Sequence, residues 1–391
     1  MRILVGHNYY QQPGGEDSVF RSETRMLSSF GHEVCTYERN NNELKKRLAL
    51  INPFSLRWSR RSYHDVRALI RRHRPDVAHF HNIFFLLTPS VYDACHDEGV
   101  PVVQSLHNFR LLCGNGLFFR DGRSCEDCLV KGLWAGVWNR CFRGSFLATA
   151  YTMHIIKYHW HRRTWQDRVN HFIVATDFTK KKYVDRGLAP EKISVKPHCV
   201  PDPALAANIR EKGHALFIGR LSEEKGLSVL LKAWHMLPDT MLYVLGQGPM
   251  LKDAQRYISR YQLKNVKLLG FVNRLVYQDM IARAKVVIVP SLCYDNFPQV
   301  IVEAYAFGVP VVASRIGSFP EFVIEGVTGM LFLAGNATDL AQKVAMLMKG
   351  AGMCEEFGRN ARKEYERKYT TDVNAQCLTE IYKKVLSQST N

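Results

Sequence analysis

Two doubly wound α/β domains in tandem are the fold that this chain of 391 residues predicts, and three observations predict it. Short β-branched runs alternate with amphipathic helical stretches, the pattern that builds parallel sheets covered on both faces. A polar run punctuated by Pro197, Pro201 and Pro203 interrupts the alternation near the middle. The length and a 46% hydrophobic content suffice for two cores. The domains are placed at residues 1–200 and 201–370, with 371–391 a helix returning to the first.

Residues 2–6 read as the first strand, not a signal peptide, because the apolar run is brief and polar residues follow at once. From Glu16 a helix is expected with Val19, Phe20, Met26, Leu27 and Phe30 inward and Gly31 as its stop. Gly14 and Gly15 fall between that strand and the helix start, where glycines let a backbone approach a phosphate closely, although an ordinary loop has the same composition. Further strands are expected at 76–80, 101–106, 172–175 and 193–195. In the second half they are expected at 215–218, 242–245, 266–269, 286–289 and 309–313, with helix beyond Asp339 and a last amphipathic helix over 371–386. His79 and His81 project to one side of their strand by its two-residue period. No third metal ligand is evident beside them in the sequence, so a structural or cleft-lining role is expected. His107-Asn108 stands at the carboxyl end of the next strand, where chemistry gathers in such sheets.

The net charge is +17, and it is lopsided: residues 1–200 hold 30 Lys and Arg against 18 Asp and Glu. The first half therefore meets something anionic. Phe54 to Arg74 carries seven arginines and one acid among apolar residues, fitting either a basic amphipathic helix on anionic lipid or an exposed basic face. Lys131 to Arg168 interleaves seven cations with eight aromatics, including Trp134, Trp138, Trp160 and Trp165, a composition of membrane interfaces. Single-stranded nucleic acid would suit it too, but no recognition motif accompanies it, so a lipid-linked partner is expected and nucleic acid is not. No apolar run approaches the roughly 20 residues of a membrane-spanning helix. A cytoplasmic protein, peripheral on the inner face of the cell membrane, is the expectation.

Ten cysteines in this length do not make a disulfide scaffold. Four of them, Cys113, Cys125, Cys128 and Cys141, have the spacing C-x11-C-x2-C-x12-C, with glycines for tight turns between them. A C-x2-C knuckle with two flanking cysteines suits a tetrahedral structural zinc that would staple an insertion over 113–141; four unrelated thiols are the other reading. Nothing else in the chain points to redox work, which disfavours an iron–sulfur cluster.

In the second half, Gly219-Arg220-Leu221-Ser222-Glu223-Glu224-Lys225-Gly226 follows the first strand directly. Arg220 and Lys225 beside glycines and a helix start suit a pyrophosphate, though isolated cations are commonly surface charges. At the end of the strand 286–289, Pro290 to Gly308 reads PSLCYDNFPQVIVEAYAFG. Asp295 falls in its loop, Asn296, Phe297 and Pro298 make a helix start with Asn296 as cap, and Glu303 lies about one and a half turns on. Two carboxylates so spaced can hold different parts of one ligand.

The segment Asp295-x7-Glu303, with Phe297-Pro298 inside it, resembles the Glu-x7-Glu signature of family 4 glycosyltransferases, retaining enzymes of GT-B fold, here of the kind that builds bacterial capsule, exopolysaccharide or O-antigen. The G-R-L-x3-K-G spelling, Gly246-x-Gly248, Gly270-Phe271, Pro310 to Ser314 and Gly326 to Gly329 extend the resemblance over nearly all of the second half. In the first half it rests on strand order, Gly14-Gly15 and His107.

The resemblance implies two Rossmann-like domains facing across a cleft, and a UDP- or GDP-sugar donor for a glycan or polyprenyl-linked acceptor. It implies that Arg220 and Lys225 hold the diphosphate and Glu303 the ribose. It further implies that Asp295 with the amides near Asn296 and Phe297 holds the sugar, that Gly14 and Gly15 border the phosphates, and that His107 borders the reacting sugar. Asp295 departs from the usual Glu by one methylene, which alters the reach of the carboxylate. Asp-x-Asp is absent from the sequence, so no catalytic metal is expected and leaving-group charge falls to fixed cations and amides. A sugar-nucleotide epimerase of the same architecture, or a non-catalytic basic protein binding lipid or RNA, are the rival readings.

Overall fold

The computed structural model describes residues 1–11, 14–43, 56–203, 213–350 and 352–389, and the chain divides into two compact units. The first comprises residues 1–116, 127–198 and 372–391, and the second residues 117–126 and 199–371. Phe54, at the head of the basic stretch, lies outside the described residues, as does Pro13 of the first loop.

The first unit is built on β1 (Arg2–Tyr9), β2 (Glu33–Asn40), β3 (Val77–Phe80) and β4 (Val102–Ser105). A two-stranded hairpin of the other unit follows, β5 (Phe119–Arg120) and β6 (Arg123–Ser124). The chain then returns with β7 (His171–Val174) and β8 (Ile193–Val195). All six strands of the unit run parallel in the order β2-β1-β3-β4-β7-β8. β3, β4 and β7 are buried along their whole length, and besides apolar residues they bury the polar His79, Gln104, Ser105 and His171. β2 was not expected, because as an edge strand its residues are mostly half-exposed and polar, EVCTYERN.

The helix after β1 spans Gly15–Ser29 and buries Phe20, Met26 and Leu27, but its inner face also carries Asp17 and Glu23. Phe30, expected inside, is 43% exposed. The arginine-rich stretch forms a helix over Arg60–His73 whose apolar residues Val66 and Ile70 are buried in the unit. Its Arg67 and Arg71 pair with Glu98, at 2.6 and 2.9 Å. The apolar face therefore packs on protein, leaving the lipid reading of this helix without an apolar surface to insert.

The second unit orders β11 (Val266–Gly270), β10 (Leu242–Leu245), β9 (His214–Ile218), β12 (Ala284–Val289), β13 (Val311–Ser314) and β14 (Gly329–Phe332) side by side, all parallel. Alternate residues feed two cores. Phe217, Val286 and Ile288 join Trp234 and Leu230 on one face, while Leu216, Val287 and Val289 join Ile301, Tyr305 and Phe319 on the other. β14 was not expected; it was legible only as the glycine-flanked Gly326–Gly329 motif that enters it. The final helix runs Thr371–Ser389, and from Asp372 onward it belongs to the first unit. Among the described residues no helix is long and apolar enough to cross a membrane.

Candidate active site

In the second unit the strand order reverses between β9 and β12, and ligands of doubly wound sheets bind outside the carboxyl ends of strands at such a reversal. The segments expected to bind the donor leave from these two strands. After β9 the chain makes a short turn over Glu223–Lys225 and enters the helix Leu227–His235 through Gly226 at φ +72°. A Cβ on Gly226 would lie 1.8 Å from the Pro290 carbonyl oxygen, so only glycine lets the two loops meet. Gly246 and Gly248 serve the same turn from the other side: Cβ atoms there would lie 1.9 Å from the Gly219 oxygen and 2.3 Å from that of Leu221.

This packing brings Lys225 and Asp295 together: Nζ donates to Oδ2 at 2.6 Å, the two side chains being 30% and 23% exposed. Burial by itself would lower the Lys225 pKa, but the Asp295 charge and hydrogen bond outweigh it and raise the pKa above that of an ordinary lysine. The ammonium is therefore a permanent charge at neutral pH. Arg220, five residues earlier, is exposed. The Asp295 loop is pinned from behind, its backbone oxygen accepting from Ser318 Oγ.

The helix after this loop spans Gln299–Ala306, with Pro298 at its N-cap position and no side-chain cap. The expected cap by Asn296 is not formed: the helix begins one residue beyond the proline, too far on for the Asn296 side chain to play that part. Glu303 is half-buried within the helix, where its carboxylate accepts from the Tyr277 hydroxyl and from Gln299 Nε2, the latter at 3.3 Å. Burial raises its pKa, against the lowering effect of the Tyr277 and Gln299 hydrogen bonds. Tyr277 was not foreseen, since nothing in its spacing from Glu303 marks it. Phe297 is half-buried, Gly270 ends β11 at φ +69°, and Phe271 after it is 82% exposed.

In the first unit, Gly14 is the N-cap position of the helix Gly15–Ser29, and its N–H donates to Asp17 Oδ2 at 3.1 Å. Asp17 is held in turn by His7 Nε2 at 2.8 Å. Space around Gly15 is open, with nothing within 4 Å of a Cβ placed there. His107 follows β4 and stacks on His81, which follows β3; His107 Nε2 and His81 Nδ1 are 2.9 Å apart.

Behind this pair lies a buried polar network that sequence spacing did not reveal. Glu23 accepts from Lys196 Nζ at 2.8 Å, and Asn374 Oδ1 accepts from the same ammonium at 2.9 Å. Glu23 Oε1 faces His79 Nδ1 at 3.4 Å and His81 Nε2 at 3.5 Å. Glu23 is thus the third ligand-type group, expected to be missing, that completes a trio with His79 and His81. The trio nevertheless has its cation already in Lys196. His79 is committed besides to the Tyr382 hydroxyl at 2.7 Å and Ser105 Oγ at 2.8 Å.

The two stacked rings are neutral. Burial keeps the pKa values of His81 and His107 well below that of a free imidazole, so each ring carries one N–H. His81 Nε2 lies 3.5 Å from Glu23 Oε1, and neither atom has a hydrogen-bond partner among the described residues. Between the rings, one of the facing nitrogens, His81 Nδ1 or His107 Nε2, donates and the other accepts.

The cysteine-rich stretch belongs largely to the first unit, where the helices Trp134–Trp138 and Phe146–His161 pack together around Val137, Met153 and Ile156. The Cys128 thiol is hydrogen-bonded to Cys113 and lies within electrostatic reach of Cys141. Cys125 falls in the segment counted with the second unit. Beside these helices is a cavity of about 640 Å³, with Leu133, Trp134, Val137 and Trp160 against Lys157 and Arg186. Trp134 and Trp138 are 64% and 76% exposed.

Comparison with known proteins matches this chain twice: the family described as Glycosyltransferase Family 4 over residues 13–202, and Glycosyl transferases group 1 over residues 206–364. An uncharacterized glycosyltransferase of Methanocaldococcus jannaschii, MJ1607, is 32% identical over 43% of this chain and 44% of its own. The phosphatidyl-myo-inositol mannosyltransferase of Mycobacterium leprae is 26% identical over 57% of this chain and 61% of its own. The chain thus spans about half the length of the curated relatives it matches. Among solved structures, Anabaena Alr3699/HepE in complex with UDP and glucose superposes with a TM-score of 0.70 at 18% identity, covering 98% of this chain and 100% of that one.

Proposed function

Because the chain belongs to glycosyltransferase family 4 and has the GT-B fold, we propose that it is a retaining hexosyltransferase. It moves a sugar from a UDP- or GDP-sugar to a glycan or polyprenyl-linked acceptor in cell-surface polysaccharide synthesis. The observation that carries this reading is the Lys225–Asp295 pair at the strand-order reversal, with Glu303 on the helix that follows Asp295.

In this reading Arg220 and Lys225 meet the donor diphosphate, and Lys225 passes from Asp295 to phosphate oxygens when the donor binds. Asp295, so released, accepts from hydroxyls of the transferred sugar along with backbone groups of Asn296 and Phe297. Glu303 accepts from the ribose hydroxyls, its orientation fixed by Tyr277 and Gln299. Gly14 and Gly15 let the backbone approach the phosphates, and Gly270 and Phe271 border the nucleotide base. The anomeric C–O bond to phosphate breaks, the acceptor hydroxyl forms the new bond on the same face, and its proton leaves with the departing phosphate. Cations already in place stabilise the charge that develops on that phosphate without reorganising. No divalent cation enters the scheme, consistent with a sequence that lacks Asp-x-Asp. His107 borders the reacting sugar.

That the relative from M. leprae acts on a phosphatidyl lipid favours a lipid-linked acceptor here. The exposed Trp134 and Trp138, with Lys131, Arg140 and Arg143 nearby in the chain, give the first unit a surface suited to an anionic membrane face.

A panel of UDP- and GDP-sugars offered with membrane extract tests the reading. A product heavier by one hexose is expected, with the donor's anomeric configuration by NMR. Lys225→Ala is expected to lower kcat/KM by about 100-fold or more, the order seen when one preorganised charge-stabilising donor is lost. Glu303→Gln acts mainly through the donor KM. Turnover untouched by both changes, or conversion of the donor to an isomer without acceptor, would defeat the proposal.

A further inference from the structure

We propose that the cavity of about 640 Å³ in the first unit holds the lipid end of the acceptor, with its phosphate on Lys157 and Arg186 and the start of its hydrocarbon chain on Leu133, Trp134 and Val137. All the residues that line this cavity fall within 132–186, so it belongs to one unit.

The helix Phe146–His161 builds one wall. Ala150, His154, Lys157 and His161 recur along it at steps of four, three and four residues, which sets them on a single stripe, and all four line the cavity. The stripe changes character along its length. It continues back to Phe146 and Leu147, which are apolar and exposed, and it ends forward at Lys157 and His161. Trp134 and Val137 of the helix Trp134–Trp138 supply another wall, and Val137 and Met153 are nearly fully buried beneath. Arg186 joins the basic end through Trp160, its guanidinium carbon 4.9 Å from the centre of that ring.

Charge decides the class of occupant. No Asp or Glu is among the described residues that line the cavity, and neither Lys157 nor Arg186 makes an ion pair among the described residues. Two unmatched cations beside apolar walls complement an anion that carries a hydrocarbon chain. A neutral sugar would leave the cations unmatched, and a free phosphate would leave the apolar walls wet. Lys157 and Arg186 are both exposed, which sets the phosphate at the mouth and leaves the sugar beyond it outside.

Position favours the acceptor over a lipid of the bilayer. Trp160 Nε1 donates to the Leu111 carbonyl oxygen at 2.8 Å, and Leu111 lines a second, narrower cavity of the same unit together with His107, Asn108 and Arg110. Trp165 lines that narrower cavity, while Gln166, the next residue, lines the larger one. The two cavities therefore share a wall, and a phosphate held in one has its sugar within reach of His107 in the other. The choice of the acceptor as occupant rests on the transferase reading above; the match to an anionic lipid does not.

The test is calorimetric binding of farnesyl diphosphate to the full-length protein in the absence of donor. It is expected to bind about tenfold or more tighter than inorganic diphosphate or farnesol, each of which satisfies only half of the cavity. Lys157→Gln combined with Arg186→Gln is expected to weaken binding about thirtyfold, whereas Lys131→Gln with Arg140→Gln, which removes two cations that do not line the cavity, leaves it unchanged. A photoreactive farnesyl diphosphate analogue is expected to label peptides within residues 132–186. Labelling elsewhere, binding indifferent to Lys157 and Arg186, or displacement of the probe by phosphatidylglycerol vesicles at equal lipid concentration would overturn the proposal, the last because it would make this a site for bilayer lipid. A protein that binds the probe as described but transfers no sugar to any lipid-linked acceptor would refute the transferase reading and leave the anionic-lipid site standing. One that transfers sugar yet binds the probe no better than diphosphate would refute the lipid site alone.

Discussion

At the scale of single residues, the least expected feature is a buried ion pair. Glu23 and Lys196 are 4% and 1% exposed and lie 2.8 Å apart, enclosed by His79, His81 and Asn374. Burial pushes the Glu23 pKa up, but the Lys196 and His79 charges and the hydrogen bond from Lys196 pull it down further, so the carboxylate stays ionised. Removing one partner of such a pair strands the other charge in the interior. Glu23→Gln and Lys196→Met are each expected to cost about 3 to 5 kcal/mol. The double variant should cost less than their sum by up to about 3 kcal/mol. Urea unfolding of the four proteins checks this, and simple additivity would mean that the two groups do not depend on one another.

At the scale of elements, the parallel strands were the most legible part of the chain, because strands buried on both faces leave short, mainly apolar runs between helical stretches. β2 and β14 escaped notice for opposite reasons, β2 through its polar edge and β14 because only its glycine-rich entrance stands out. The site was legible as motifs but not as contacts. Arg220, Lys225, Asp295 and Glu303 could be picked from the sequence, yet the bond between Lys225 and Asp295 spans 70 positions and no local periodicity encodes it. The glycines show the same division. Gly226 and Gly14 look alike in sequence, each just ahead of a helix, but Gly226 sits at φ +72° against Pro290 whereas Gly14 is extended at φ −131°, where a Cβ would only touch the Tyr10 ring at 3.9 Å. Gly226→Ala is therefore expected to destabilise the second unit by about 3 kcal/mol or more, through the left-handed backbone and the clash together. Gly14→Ala should stay within about 0.5 kcal/mol of the parent in stability. If Gly14 borders the phosphates, that same change should raise the donor KM. Equal destabilisation by the two alanines would show that the turn ahead of Lys225 is not the constraint described.

At the scale of the whole molecule, titratable groups are divided unequally, and acid should find the difference. Thirteen of the 15 histidines lie in the first unit. Burial pushes the pKa values of His79, His159 and His171 down to about 4, against about 6.5 for an unfolded chain. Between those values the unfolded first unit binds protons that the folded one refuses, so unfolding is favoured as the pH falls. The stability these neutral rings represent is complete above about pH 6.5 and is lost on the way down to about pH 4, each contributing on the order of 3 kcal/mol at most. Glu23, held below the ordinary carboxylate range, acts in the same direction; Glu16, raised by burial, opposes it. In the second unit His214 is lowered by burial, and His235 is exposed. The first unit is therefore expected to unfold first on acidification. Five of the six tryptophans lie in it and only Trp234 in the second, so Trp234→Phe leaves fluorescence that reports the first unit alone. The urea midpoint of that variant should fall steeply from pH 6.5 to 4.5. His171→Gln, which can keep a hydrogen bond to Ser194 Oγ while removing the titrating ring, should flatten the fall by about one proton. A midpoint independent of pH over this range would mean that these rings are protonated equally in both states, contrary to their burial.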